Sequence, residues 1–440
     1  MYFIVEKEEQ LERLQPDSTC FIQVIPYNDE YHPGLTRASL VYYRNSDKGY
    51  IFSINHSEGF SLSIQSVNRF LNGHSKVYLL DLKFHSYFLD LSNAVDIFFT
   101  QLDKDNETTE LDCYTKLHTD FYRQYSQLKD VNKIIPITKH YERCECMYSK
   151  VKRYIDLEID TEHQNEIVKA YKKVEEVGIG IDSKQFSEIY QPKDVNASVA
   201  NGTIYTSYNL YNITARPTNA FNGINFLAIP KDEKHRTCFI PKNDYFVEFD
   251  FDAYHLRLIA KLIDYTFSDN KESIHTQLAK QYFNTSTITD DQYKESKVIS
   301  FRQLYGGIES QYKHIDFFNH LNQFIDDQWN AYKRSGAIIL PTGRIFRTIK
   351  GMNKLKLFNY IIQNMETKEN VKKINEIHDL IEENKYISRL VLITYDSFLL
   401  DYSISDGKEA LINIKNKLQG SEEDFMLVKH KYGKDYFFKH

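Results

Sequence analysis

The chain holds only five cysteines in 440 residues, an odd number scattered along its length. That excludes a disulfide framework and points to a reducing compartment. No apolar run approaches the ~18 residues a membrane span needs. The opening MYFIVEKEEQ carries acids early and has no signal-peptide core. A cytoplasmic location without a membrane partner is expected. Glycine and proline are few, at 16 and 9, while Asn, Lys, Ile, Tyr and Phe are abundant. This is the codon bias of an AT-rich genome and carries no mechanism. Strong positive charge is also missing, since the formal net charge is −6. Nucleic-acid binding survives that, because a local basic groove suffices. What remains is 42% hydrophobic residues, enough for real cores. The length divides, as a soft prior, into about two to four domains.

Residues 1–130 read as mixed α/β. CFIQVIP (20–26), RASLVYY (37–43), GYIFSI (49–54) and KVYLLDL (76–82) have strand character, and SIQSVNRFLNG (63–73) is a helix stopped by Gly73. SNAVDIFFTQL (92–102) is a strand or a helix start, and DKDNETTELD (103–112) is an exposed loop. Residues 140–190 read as helical up to breaks at Gly178 and Gly180, and 195–219 as turns and strands. From 245 the order is strand, helix, long helical region, hairpin (338–349), helix, strand (390–402), helix, strand. HYERCEC (140–146) has the look of a Cys/His metal site. It lacks a second pair at zinc-finger spacing, so ordinary thiols are the better reading.

Chemistry concentrates in three stretches. In VEFDFDAYHLRLIAKL the pattern passes from strand to helix at Asp250 and Asp252, which share a strand face. Such acids hold a divalent metal or cap the helix. In YKESKVISFRQLYGG, Lys297, Phe301 and Tyr305 are four apart and share a helix face, with Lys294 just before them. An ammonium beside an aromatic face suits a nucleoside triphosphate, though alone the rings read equally as core. In LITYDSFLLDY, Asp396 interrupts two apolar arms and reads as an acid on a hairpin tip or a plain turn residue.

In order and chemistry these stretches resemble the right-handed polymerases of family A, over roughly residues 165–440. VEFDFDAYHLR resembles motif A, giving Asp250 and Arg257. KVISFRQLYGG resembles motif B, giving Lys297, Phe301, Tyr305 and Gly306. TYDSF resembles motif C, giving Asp396. Softer matches are ITARPTNAFNGINFLAIP (Arg216, Asn225, Ile229, Pro230), SIHTQLAKQYF (His275), FNYIIQN (Asn359, Gln363) and YGKDYF. Singly each is weak; their common order is not.

The resemblance implies an α+β/α/β protein: an antiparallel-sheet palm with helical fingers, plus an RNase H-like, exonuclease-type N-terminal domain. The expected domains are a degenerate 3′–5′ exonuclease-like domain (1–130), a helical linker and reduced thumb (131–200), palm (201–265), fingers (266–349) and palm again (350–440). It implies a template-directed DNA polymerase using two Mg²⁺ ions, with Mn²⁺ able to substitute, and primer-template DNA and deoxynucleoside triphosphates as partners. Asp250, Asp396 and the Phe251 carbonyl would be metal ligands, with Asp252 as a further one. Lys297, Lys294 and His275 would meet phosphates, and Phe301, Tyr305 and Gly306 the nucleotide. Arg216, Arg257, Asn359 and Gln363 would touch nucleic acid.

The departures matter as much. The steric-gate Glu of the family falls at His255, and His-Asp-Glu becomes Tyr395-Asp396-Ser397. Relaxed sugar choice, with RNA or primer synthesis, therefore stays open, as does a degenerate nucleic-acid-binding subunit. About thirty residues separate Asp182 from Thr214, too few for long thumb helices. A processivity partner is expected to replace them. CFIQVIPYND lacks the exonuclease Asp-x-Glu, and the Asp expected on the helix in YLLDLKFHSYFL is His85, so no proofreading is expected. The compact build points to a phage enzyme in a bacterial host cytoplasm.

Overall fold

The computed structural model describes residues 3–157, 161–190, 196–219, 224–269, 271–422 and 425–438. The chain divides into two units. One is mainly Met1–Lys172; the other is mainly Lys173–Gln191, Gly202–Ala220 and Ile224–His440. No helix among the described residues is long and apolar enough to cross a membrane.

The first unit is built on a six-stranded sheet: β1 (Phe3–Val5), β2 (Thr19–Pro26), β3 (Ala38–Arg44), β4 (Gly49–Ser53), β5 (Lys76–Leu79) and β6 (Ala94–Asp96). The order is β1-β4-β3-β2-β5-β6. β3 is antiparallel to both neighbours, while β2, β5 and β6 are parallel. ASLVYYR is a near-continuous apolar run because β3 is covered on both faces. β5 stops short of its apolar run, since Asp81 takes φ 62 and caps the Leu82–His85 helix. The stretch at 92–102 contains both readings: β6 ends at Asp96, which caps the Ile97–Asp105 helix. That helix reaches into the segment expected as loop and ends at Asn106, φ 61.

The boundary expected at 130 falls later. The Ile137–Val151 helix sends Ile137, Cys144, Met147 and Val151 into the same core as Phe21, Tyr42 and Ile51. It is part of the sheet unit and not a linker. The five cysteines are free. Among the described residues no three His, Cys, Asp or Glu side chains gather as a metal site.

In the second unit the Glu162–Val177 helix, which runs into it, ends at Gly178, whose φ of +65 favours glycine. Between Asp182 and Thr214 the described residues form one seven-residue helix, Ser183–Ile189, and short strands, with no pair of long helices. A four-stranded antiparallel sheet follows, in the order Arg389–Thr394, Ser397–Tyr402, Tyr245–Phe251, Val428–Gly433. Helices Tyr254–Leu262, Ile274–Tyr282, Asp316–Ser335 and Lys354–Glu383 share one core through Leu256, Ile259, Leu278, Phe317, Leu321 and Phe358. The Asp290–Gly306 helix joins it through Leu304. That helix starts at a Thr289–Gln292 capping box, a cap worth about 1 kcal/mol.

Candidate active site

The central strand YFVEFDF buries Phe246, Val247, Phe249 and Phe251 and leaves Asp250 exposed at its end. The chain then turns sharply. Ala253 takes φ 54, a conformation uncommon without glycine, and the Tyr254–Leu262 helix begins. Ala253 occupies the capping position with no side-chain bond. Asp250 is therefore free of the capping role that its sequence position also allowed.

Asp396 arrives from the neighbouring hairpin. Only Tyr395 and Asp396 link the strands Arg389–Thr394 and Ser397–Tyr402. Tyr395 has φ 57, the positive first-position angle of a type II′ turn. Asp250 pairs across the ladder with Ser397, and the Phe251 N–H donates to the Asp396 carbonyl at 3.1 Å. Both acids open on one cavity of about 300 Å³. Asp250 is pushed up to about 6, first by lost hydration and then by the charges of Asp396 and Glu248. Asp396 is also raised, by burial and by Glu366, against the pull of His255 and Arg216.

The opposite wall comes from the Asp290–Gly306 helix. Lys297, Phe301 and Tyr305 line the cavity, and the rings of Phe301 and Tyr305 stack 6.2 Å apart at 10°. Phe301 is 49% exposed; a core ring would not be. The Lys297 ammonium lies 4.6 Å above the Tyr293 ring. His275 joins from the Ile274–Tyr282 helix with a buried Nδ1 that has no hydrogen-bond partner. Burial, with Lys297 and Lys429 nearby, holds its ring at about 4. At neutral pH, with no phosphate beside it, it is an uncharged hydrogen-bonding group.

A buried carboxylate that sequence reasoning missed ties the walls together. Glu366 has a 2% exposed side chain. It accepts from Arg216 at 3.0 and 2.9 Å and from His255 Nε2 at 2.7 Å. The Tyr305 hydroxyl meets His255 Nδ1. The Arg216 guanidinium also stacks 3.4 Å from the Tyr395 ring centre. Glu366 lies one helical turn past Gln363, and that spacing was the available signal. Arg216 is thus engaged in holding the Asp396 hairpin while still lining the cavity.

Other expected residues lie elsewhere. Arg257 is 6% exposed and donates to the Asp252 carbonyl at 3.0 Å, so it braces the turn and is too buried to meet DNA. Lys294 is outside the cavity and pairs with Asp291 at 3.7 Å. Gly306 ends the helix, and the unusual backbone belongs to Gly307, φ 96. Asn359 and Gln363 lie four apart on one helix face, half-buried and outside the cavity. Asn225 caps the short Phe226–Ala228 turn. Residues 220–223 of its stretch lie outside the described residues. Asp252 lines the cavity but is bound by Lys429 at 2.5 Å. Burial raises its carboxyl, but the Lys429 ammonium and the Ser273 hydroxyl outweigh that and hold it low. Its expected place as a further metal ligand would require that pairing to open. Lys429, from the edge strand, carries no sequence signal of its own.

The donor set fits a hard divalent cation. Two exposed carboxylates stand side by side, each resisting ionisation in the bare protein. The Phe251 ring is buried 4.5 Å from that of Tyr254, so its main chain is what it can offer the cavity. Among the described residues no third acid, His or Cys joins to complete a cage. Magnesium characteristically completes such sites with water and substrate phosphate oxygens.

Palm sheet, paired acids at its strand ends and a facing helix with Lys and aromatics define the fold of a right-hand polymerase domain. Among solved structures, the chain is similar to the POL domain of Pol1 from M. smegmatis, solved in complex with DNA primer-template and dNTP. Identity is 13%, the match covers 99% of each chain, and the TM-score is 0.71. The fold expected from the family A resemblance is the fold the chain has. No protein-family model matches the sequence, and no curated protein does.

Proposed function

We propose that the chain is a template-directed DNA polymerase, adding deoxynucleoside triphosphates to a primer 3′ end by two-metal nucleotidyl transfer. The observation that carries this reading is the meeting of Asp250, Asp396, Lys297, Phe301 and Tyr305 on one cavity from three separate segments. The likeness in fold to a polymerase domain solved with primer-template and dNTP supports it. A degenerate, non-catalytic subunit is disfavoured, because the acids and the lysine are retained together.

Asp250 and Asp396, with the Phe251 carbonyl, hold the ions, Mg²⁺ by preference and Mn²⁺ as substitute. When bound, such ions activate the attacking oxygen and stabilise the leaving phosphate. Lys297 binds the triphosphate and is placed to give its proton to the leaving pyrophosphate. Neutral His275 hydrogen-bonds a phosphate oxygen. Phe301 and Tyr305 cover base and sugar. His255, fixed at both ring nitrogens by Tyr305 and Glu366, forms a rigid wall beside the sugar. That favours deoxynucleotides over the relaxed-sugar reading. Asn359 and Gln363 contact primer–template. Primer-template DNA is the partner, with a processivity factor in place of a thumb, and a phage replication role fits the compact build.

The N-terminal unit is a proofreading domain without its chemistry. Its sheet order and the lone antiparallel β3 suit an RNase H-like fold. His85 is buried where the helix acid would stand, and the Val24 N–H donates to its Nε2 at 3.1 Å. Asp81 and Asp96 accept from main-chain amides as helix caps.

Primer extension with Asp250→Asn and Asp396→Asn tests the reading. Each variant loses at least about a thousandfold in rate; near-wild-type extension by both would refute it. On the same template deoxynucleotides are preferred to ribonucleotides by roughly a hundredfold.

A further inference from the structure

The cavity contains a second ammonium that the polymerase reading above does not use. Lys429 sits on the edge strand Val428–Gly433, directly across the ladder from Asp250, so the two side chains share a face of the sheet. It lines the cavity together with Lys297 and His275. Its side chain is 56% exposed, whereas that of its partner Asp252 is 4% exposed. An ammonium has three donors. One goes to Asp252 Oδ1 at 2.5 Å. Asp252 Oδ2 is buried with no hydrogen-bond partner within range, so among the described residues Lys429 is the one cation paired with this carboxylate. The other cations are spoken for. Arg216 forks onto Glu366, Arg257 is buried on main-chain carbonyls, and Lys294 faces away with Asp291.

We propose that Lys429 binds a non-bridging oxygen of the incoming nucleotide's triphosphate, with Asp252 as the positioning residue that aims its ammonium into the cavity. This rests on the polymerase reading. It assigns Asp252 a task other than metal binding. It also places the second phosphate-binding cation on the palm's edge strand instead of on the helix that carries Lys297.

The test uses the full chain on a primer ending in a dideoxynucleotide, which binds the next deoxynucleotide without reacting. Nucleotide and DNA dissociation constants are measured for Lys429→Met, Lys429→Arg, Asp252→Asn, the double variant Lys429→Met/Asp252→Asn, and Lys294→Ala as control. Lys429→Met is expected to weaken nucleotide binding at least about tenfold, the scale of one charge-assisted contact, and to leave DNA binding unchanged. Lys429→Arg recovers part of the loss, and Lys294→Ala stays at the wild-type value. Asp252→Asn weakens nucleotide binding less than Lys429→Met. The double variant, whose pair is neutral and whose folding is checked by thermal melting, stays as weak as Lys429→Met. If the double variant regains wild-type nucleotide affinity, Lys429 only neutralises Asp252 and the proposal fails. It fails equally if Lys429→Met binds nucleotide within twofold of wild type. A wild-type chain that neither binds nucleotide nor extends a primer overturns the polymerase reading and this inference together. Normal extension with an unaffected Lys429→Met overturns the inference alone.

Discussion

Asp250 is under two opposed demands. Its carboxyl stands at about 6 because burial, Asp396 and Glu248 disfavour its charge, yet metal binding needs the ionised form. The folded-state value lies above the unfolded one of 3.8. Without metal, stability therefore falls as pH rises from about 4 through 6, and the loss is complete above that. Asp250→Asn removes the penalty. Allowing for solvent screening, it should stabilise the metal-free protein by about 1 kcal/mol at pH 7.5 while abolishing extension. Thermal melts in chelator and in Mg²⁺ check this: Mg²⁺ raises the wild-type midpoint and leaves that of the variant unmoved. The same shift sets the pH profile. Extension falls as pH drops through about 6, and more Mg²⁺ moves that limb to lower pH because metal competes with protons. A limb insensitive to Mg²⁺ would count against Asp250 as a ligand. The shared helix face of Lys297, Phe301 and Tyr305 was legible from their spacing, whereas the association of Asp250 with Asp396 was legible only through the ordered resemblance to a known family. Lys429 was not legible, since strand register alone brings it to the cavity, and the spacing of Glu366 from Gln363 gave no sign of the Arg216 and His255 partners that bury it.

At the scale of elements, the hairpin carrying Asp396 depends on contacts outside itself. A non-glycine residue at positive φ costs about 1 kcal/mol or more. The Arg216 guanidinium over the Tyr395 ring offsets a similar amount. Glu366 holds that guanidinium, so Glu366→Ala should destabilise the protein by about 3 kcal/mol. It should also free His255 and raise the nucleotide KM. Because Glu366 raises the Asp396 carboxyl, the acid limb of the variant should move down in pH, which simple unfolding would not produce. The helix facing the hairpin ends on a second backbone device. Gly307 has φ 96 and ψ 154, a region nearly confined to glycine. Gly307→Ala should cost about 1–3 kcal/mol. In Gly306→Ala the added carbon would meet nothing nearer than Arg302 Cγ on the same helix, at 3.8 Å. That variant should be neutral or slightly stabilising. Differential melting of the two variants decides it. Strands were readable from their apolar runs. The places of the two turns were readable as well, but their left-handed backbone at Ala253 and Tyr395 was not, because nothing in those side chains announces it.

On the scale of the whole molecule, the paired acids of the proposed polymerase site open on a cavity, while acids of the N-terminal unit are engaged by main-chain amides. In the N-terminal sheet unit Asp81 and Asp96 cap helices and His85 is buried on the Val24 amide. Strands β2 to β5 were legible from their apolar runs; β1 and the unit's end were not. The Ile137–Val151 helix has a linker's polarity on one face and the sheet's core on the other. Between Asp182 and Thr214, the described residues provide one seven-residue helix where long helices would grip a duplex. Fewer phosphate contacts mean faster release and a shallower salt dependence. The chain alone is therefore expected to add few nucleotides per encounter. It should leave a mismatched primer end intact in Mg²⁺ without nucleotides. Extension of an end-labelled primer in the presence of excess unlabelled trap DNA measures the first, and loss of label length measures the second. Products reaching the template end in a single encounter would show that another part of the chain grips the duplex. Stepwise shortening of the primer would show that the N-terminal unit holds metal by residues other than those its fold position implies.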